Sequence, residues 1–229
     1  MSKVPVMEDF NQYLEQSRYI DSNSETIRDY AEEVTKGITD DSEKAAALFY
    51  DIRDAYKYSP YIVHFKDAEM MASSIMDRDY GHCVAKASLL IAGARALDIP
   101  ARLRLAIVKN HISMEKIVAI FKTDLIVCHG HAELFLNNEW IKVTPAFNKE
   151  LCDKLGVEPL EFDGTKDAIL QEFDKEGGFM EYVHDYGTFH DIPKKLMMDE
   201  LQLHYPHIFE METVYNNETL DLTKLIAKA

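Results

Sequence analysis

Apolar positions recur at helical spacing in two stretches near the N-terminus. Ile27, Tyr30, Ala31 and Val34 fall on one side of a 3.6-residue repeat and predict a helix. Ser22-Asn23-Ser24-Glu25 before them reads as a capping box, and Gly37 after them as a stop. Ala45, Ala46, Leu48, Phe49, Ile52 and Tyr56 cluster likewise, with Asp41 as the cap and Tyr58-Ser59-Pro60-Tyr61 as the end. Ala68 to Asp79 reads as a short helix and a loop. The stretch from Cys83 to Leu97 is different. It is rich in Ala and Leu and apolar on most sides, the pattern of a helix buried all round. Asp98-Ile99-Pro100 ends it.

Beyond Pro100 the period changes to two. Leu103, Leu105 and Ile107 alternate with Arg102 and Arg104, so Ala101 to Val108 reads as a strand. Ser113 to Phe121 is a helical insertion, and Leu125 to Leu136 a second strand. Asn137-Asn138-Glu139 is a hairpin turn, because Asn tolerates positive φ, and Trp140 to Thr144 is the returning strand. Residues 149–229 are acidic and aromatic, with Phe162-Asp163-Gly164 as a turn and Met180-Glu181-Tyr182-Val183 as a short apolar stretch. The pattern predicts no fold for them, but their aromatic residues predict packing on what precedes. Helices, then a buried helix, then antiparallel strands give the α+β class. The expected division is an N-terminal segment (1–20), a core (20–150) and a C-terminal extension (150–229).

Composition narrows the partners. The chain has 229 residues, enough for one sizeable core. Its net charge of −15 repels phosphate backbones and anionic membranes, so neither nucleic acid nor membrane is expected as a partner. No apolar run reaches the ~20 residues that span a bilayer, and Met1 to Asp9 lacks the apolar stretch of a secretory signal. The expected compartment is the cytoplasm. There are three cysteines, Cys83, Cys128 and Cys152, and no CxxC pair, which argues against a disulfide framework and a thiolate zinc site. Nothing in the sequence fixes the oligomeric state.

The candidate chemistry begins at Cys83. It follows Gly81-His82 and opens the buried helix, where unpaired N–H groups and the helix dipole favour a thiolate and can face an oxyanion. The alternative is a small buried residue, the common fate of a free cysteine. In Cys128-His129-Gly130-His131-Ala132-Glu133-Leu134, strand alternation puts His129, His131 and Glu133 on one face. A histidine there can serve a cysteine as base. It can equally belong to a solvated polar face, or His129 and His131 together can hold a metal ion with Glu133 or Cys83. A third polar group is needed to orient the imidazole; Thr144, at the end of the returning strand, and Asn148, just past it, are the candidates.

Taken together, three segments resemble the transglutaminase-like superfamily. Gly81-His82-Cys83-Val84-Ala85-Lys86-Ala87, running on to Leu97-Asp98-Ile99-Pro100-Ala101-Arg102, looks like the family's nucleophile helix and its exit into a strand. His129-Gly130-His131-Ala132-Glu133-Leu134-Phe135-Leu136 with Trp140 looks like its histidine strand and hairpin, and Thr144-Pro145 follows in the expected place. Asp54-Ala55-Tyr56-Lys57-Tyr58 is similar to the end of the helix that opens the family's core.

The resemblance implies a transglutaminase-like, papain-like core: a buried nucleophile helix packed on an antiparallel sheet, with a C-terminal extension added. It implies Cys83 as nucleophile. It selects His129 as base, since an aromatic slot then falls on His131 and an acidic one on Glu133; His131 is the second choice. The family usually has Asp-Pro where this chain has Thr144-Pro145, so Asn148 is taken as the third member and Thr144 as its rival. The run Thr144-Pro145-Ala146-Phe147-Asn148 resembles a bacterial subgroup. The implied activity is amide or peptide acyl transfer through a cysteine thioester, with hydrolysis favoured over transamidation. The implied partner is a peptide or protein amide, and neither cofactor nor metal is called for. The alternatives are a binding protein that keeps the fold without catalysis, and a histidine-based metal protein.

Overall fold

The computed structural model describes residues 10–110, 114–169, 172–174, 177–178, 180–216 and 218–226. Two amphipathic helices come first, α1 (Glu25–Val34) and α2 (Asp41–Ala55). Their caps differ from the expected ones. Ser24 Oγ, not Ser22, accepts from the Ile27 amide at 3.3 Å, and Asp40 Oδ1, not Asp41, accepts from the Glu43 amide at 3.0 Å. Both caps are extended, which lets a short side chain turn onto an N–H three residues ahead. The chain then makes β1 (Lys57–Tyr58), β2 (Ile62–His64), the single turn α3 (Asp67–Met70), a 3-10 turn (Ala72–Ile75) and β3 (Tyr80–Gly81). β1 and β3 pair in parallel and lead the chain to α4 (Cys83–Ala96).

After α4 come β4 (Ala101–Asn110), α5 (Met114–Phe121), β5 (Leu125–Leu136) and β6 (Glu139–Val143). Ser113, the expected start of α5, lies outside the described residues. Leu136 pairs with Glu139, so Asn137 (φ 53°) and Asn138 (φ 68°) alone form the hairpin turn. The remaining elements are α6 (Lys149–Leu155), β7 (Glu172–Asp174), β8 (Gly177–Gly178), β9 (Met180–Phe189), α7 (Lys194–His204), α8 (Pro206–Phe209), β10 (Tyr215–Asn216), β11 (Thr219–Asp221) and α9 (Thr223–Ile226). The main sheet is antiparallel in the order β6-β5-β4-β9. Its last strand begins in the Met180–Val183 stretch, so the C-terminal region supplies a strand to the same sheet that carries β5. β10, β11 and β2 form a smaller sheet.

This is the expected α+β arrangement, with α4 buried between the sheet and α1 and α2. Every residue of α4 is buried except Ala85 and Ala96, including two cations. Lys86 is completely buried and its ammonium donates to three carbonyls: Arg53 O at 2.9 Å, Tyr56 O at 2.6 Å and Ala146 O at 2.9 Å. Arg95 donates twice to Ala101 O (3.0 and 2.8 Å), to Glu15 O at 2.9 Å and to His190 O at 2.7 Å. A buried cation is tolerable when its donors are met, and here carbonyls from distant segments meet them. Among the described residues no helix is long and apolar enough to cross a membrane.

Burial pushes Lys86 down to about 7 from its ordinary value of 10.5. Between those limits the unfolded chain holds a proton that the folded chain has lost, so this residue makes stability rise with pH across that window. Lys86→Met should flatten that rise. It should also cost about 3 kcal/mol or more, because three carbonyls lose their donor. Urea unfolding of both proteins from pH 7 to 10 measures the two effects.

Candidate active site

Cys83 is the first residue of α4 and is 7% exposed. The residue before it, His82, is extended (φ −82°, ψ 177°) and makes no side-chain cap, so the first-turn N–H groups are not taken by a capping side chain. One glycine lets the chain approach from each side. A Cβ on Gly81 would stand 3.1 Å from Lys86 Cγ, so the Lys86 stem passes where a side chain would be. A Cβ on Gly130 would stand 2.7 Å from Val84 Cγ2 and 3.1 Å from Val84 Cα. Only glycine lets β5 lie this close to the first turn of α4. The reward is a direct link: the Gly130 N–H donates to Cys83 Sγ at 3.5 Å.

His129 is the residue next to that link. Ala106 pairs with His129 and Val108 with Ile126, so Val127 and Cys128 stand opposite Ile107 alone. This is a bulge, with Cys128 at φ 57°, immediately before His129. Past it, Gly130, Ala132 and Leu134 face α4, and His129, His131 and Glu133 share the other side, as the alternation predicts. That side is not solvated. His129, His131 and Glu133 are 3%, 2% and 1% exposed. Glu133 is fully engaged, by Arg102 Nε at 2.6 Å and Arg104 Nη1 at 2.8 Å. Arg102 in turn lies 3.8 Å over the Trp140 ring, which is where the hairpin tryptophan acts. Among the described residues no three His, Cys, Asp or Glu side chains are grouped to hold a metal ion.

The rest of the face is polar and unpaired. His129 Nδ1, both ring nitrogens of His131, Thr144 Oγ1 and Tyr182 Oη are buried without a hydrogen-bond partner. The Tyr182 ring meets His131 edge-on, centroids 6.0 Å apart. Thr144 is held through its backbone, which donates to Ala168 O at 3.0 Å; its hydroxyl does not hydrogen-bond an imidazole. Asn148 Oδ1 accepts from the Tyr58 amide at 3.0 Å, and Asn148 caps α6 through its own carbonyl. Asn148 thus fixes the segment around Tyr58, whose ring packs on Phe147 at 4.7 Å. Tyr58 and Tyr182 both feel the charge of a Cys83 thiolate. Neither was a sequence candidate. Tyr182 had a signal, since it sits in the apolar stretch of the extension; Tyr58 had only its place at the end of a helix.

Burial decides the electrostatics. It pushes the Cys83 thiol up, and the N–H groups of Gly130, Val84 and Cys83 itself only partly oppose this. The helix N-terminus alone predicted the opposite sign, and desolvation outweighs it. Burial also pushes His129 down to about 4 and His131 to about 3. Cysteine and histidine therefore rest neutral at pH 7, not as a thiolate–imidazolium pair. Both histidines bind protons more readily unfolded than folded, so stability is complete above about pH 6.5 and falls as pH drops toward 4 and below. His129→Gln and His131→Gln should each soften this acid loss by a few kcal/mol at about pH 4, read from unfolding midpoints between pH 4 and 7.

Comparison with known proteins places these residues in a wider group. A family model described as the transglutaminase-like superfamily matches residues 28–145, just over half the chain, from within α1 to the residue after Thr144. No curated protein matches the chain. Among solved structures, one described as "a putative cysteine protease" from Cytophaga hutchinsonii shares 20% identity with a TM-score of 0.51, over 85% of this chain and 52% of that one. A second, described as "a putative protease" from Parabacteroides distasonis, shares 14% identity with a TM-score of 0.37, over 61% of this chain and 28% of that one. The chain thus spans about half the length of the first structure, which it resembles in fold.

Proposed function

Since the chain belongs to the transglutaminase-like superfamily, we propose that it is a cysteine enzyme that cleaves a peptide or protein amide through a thioester on Cys83. The observation that carries this reading is the 3.5 Å contact from the Gly130 N–H to Cys83 Sγ, which joins the neighbour of His129 to a thiol at a helix N-terminus.

The neutral resting state sets the order of events. The thiol is not ionised beforehand, so neutral His129 removes its proton as Sγ attacks the amide carbon. The carbonyl oxygen takes the negative charge and faces the N–H groups at the start of α4. The C–N bond breaks, and His129 returns the proton to the leaving amine. Water, deprotonated by His129, then attacks the thioester and frees Cys83 as the thiol. An amine in place of water would make the step transamidation; hydrolysis is the favoured outcome here. Asn148 is the proposed third member, with Thr144 as its rival; at rest Asn148 Oδ1 holds the Tyr58 amide and His129 Nδ1 has no partner. His131 is the alternative base. Three free cysteines suit the reducing cytoplasm.

Fluorogenic peptide amides test this. Cys83→Ala and His129→Gln should each lower kcat/KM by about a thousandfold or more, and His131→Gln far less. The acid limb of kcat/KM should fall near pH 4, where His129 gains its proton. Equal turnover by Cys83→Ala would overturn the reading. A larger loss in His131→Gln than in His129→Gln would exchange the base. Adding methylamine separates the two fates of the thioester: hydrolysis predicts free acid as the main product, and transamidation the methylamide.

One observation favours a second reading, a binding protein with the fold and no catalysis. The Thr144 hydroxyl, where the family usually has Asp, makes no bond to an imidazole. Absence of turnover across a broad library of peptide amides by the wild-type chain would support it.

A further inference from the structure

One cleft lies outside the machinery described so far. It encloses about 440 Å³, its solvent mouth included, between β2, the approach to α4, the first turn of α4 and α7. Ile62, Ile75, Val84 and Met197 give it apolar walls. It also borders both neighbours of Cys83, since His82 and Val84 line it. Its other polar groups are His64, Glu69, Arg78 and Tyr80.

Three of these lie in a row. Glu69 Oε2 lies 2.8 Å from His64 Nδ1, and His64 Nε2 lies 3.3 Å from the Tyr80 hydroxyl. A carboxylate beside Nδ1 holds the proton there, which leaves Nε2 to accept from Tyr80. Glu69 Oε2 stands beside His64 Nδ1 without an aligned hydrogen bond, and Lys66 Nζ lies 3.8 Å from its other oxygen.

Arg78 is the exception. Its Nη2 donates to Glu69 O at 3.1 Å and Ser74 Oγ at 3.2 Å, and its Cζ lies 5.9 Å over the Tyr80 ring. These contacts fix the guanidinium without neutralising it. Its Nε is buried with no partner, and among the described residues no carboxylate lies within ion-pair distance. Burial pulls its pKa below the usual arginine value, more than Tyr80, Glu69 and Asp77 can offset. His82 stays neutral, pushed down to about 3 by burial and by the Arg78 charge. The cleft thus holds a fixed, partly desolvated cation whose Nε is unpartnered, apolar walls, and one carboxylate, Glu69, placed beside His64 and Lys66.

We propose that this cleft is a carboxylate subsite, in which Arg78 receives a carboxylate borne on a short apolar stem of the peptide bound at Cys83. The planar guanidinium fork matches a carboxylate, and Ile62, Ile75 and Met197 match the stem. The site stands on the cleft itself; only its place beside the bond attacked rests on the acyl-transfer reading. Two parts of a peptide offer this chemistry: the chain's own C-terminal carboxylate, and an acidic side chain within it.

Binding to full-length Cys83→Ala protein tests the site without turnover, read by amide NMR shifts at Gly81, His82, Val84 and Ala85. The probes are N-acetyl-leucine, N-acetyl-glutamate N-methylamide and the neutral N-acetyl-leucinamide. At least one carboxylate probe should bind about tenfold tighter than the neutral one, and the tighter of the two identifies the source. A second substitution, Arg78→Met, should abolish the preference, and Arg78→Lys should keep part of it. Equal binding of all three, no saturable shift, or a preference that survives Arg78→Met overturns the proposal. Should Arg78→Met not fold, the ratio of carboxylate to neutral binding in Cys83→Ala decides alone. Wild-type turnover of neutral peptide amides is the separate readout of the catalytic reading, so either can fail without the other.

Discussion

The ammonium of Lys86 holds the site together. It sits one turn into the helix that begins at Cys83, and its three N–H donors reach carbonyls of Arg53, Tyr56 and Ala146. Those carbonyls belong to the end of α2, the segment entering β1 and the segment leaving β6. Two stretches of chain far apart in sequence, residues 53–56 and the segment leaving β6, are thereby fixed to one helix. From Tyr56 the chain runs to Tyr58, and from Ala146 to Asn148, and these two are joined by the Tyr58 amide bond to Asn148 Oδ1. Arg95 does the same at the far end of α4 for Glu15, Ala101 and His190. An apolar helix gains area by burial but has no directional preference; two saturated cations fix its direction and depth.

Close approach of β5 to α4 is the second constraint. It requires Gly130, and it puts a backbone N–H on the Cys83 sulfur. The bulge at Cys128 immediately precedes this contact, so the strand is re-aimed just before His129. The same closeness excludes water. Water exclusion raises the Cys83 thiol and lowers the His129 imidazole, so both stay neutral.

The face shared by His129 and His131 has a mixed character. Glu133 is matched by two arginines and screened by Trp140, whereas the histidines, Thr144 and Tyr182 keep unmatched polar atoms. Unpaired buried polar groups cost stability and persist where something else requires them. Tyr182 reaches this face because β9 completes the sheet beside β4, so the C-terminal region adds to the surroundings of Cys83.

The sequence alone determined the elements whose causes are local. The Ala- and Leu-rich run had to be a buried helix, the alternation after Pro100 a strand, and Asn137-Asn138 a tight turn, since each rests on periodicity or on the φ a residue tolerates. The order of these elements, with the residues around Cys83, His129 and Trp140, was enough to resemble the right superfamily. Helix caps slipped by one or two residues because several neighbouring polar residues can cap, and the backbone conformation selects one of them. What only the tertiary structure decided has a non-local cause. Lys86 and Arg95 look in sequence like interruptions of an apolar pattern; their burial depends on carbonyls outside their own helix, most of them tens of residues away. The engagement of Asn148 with Tyr58, the role of Gly130 and the sign of the Cys83 shift follow from which segments touch. A sequence states a residue's chemistry, but the dielectric around it is set by neighbours that only folding supplies.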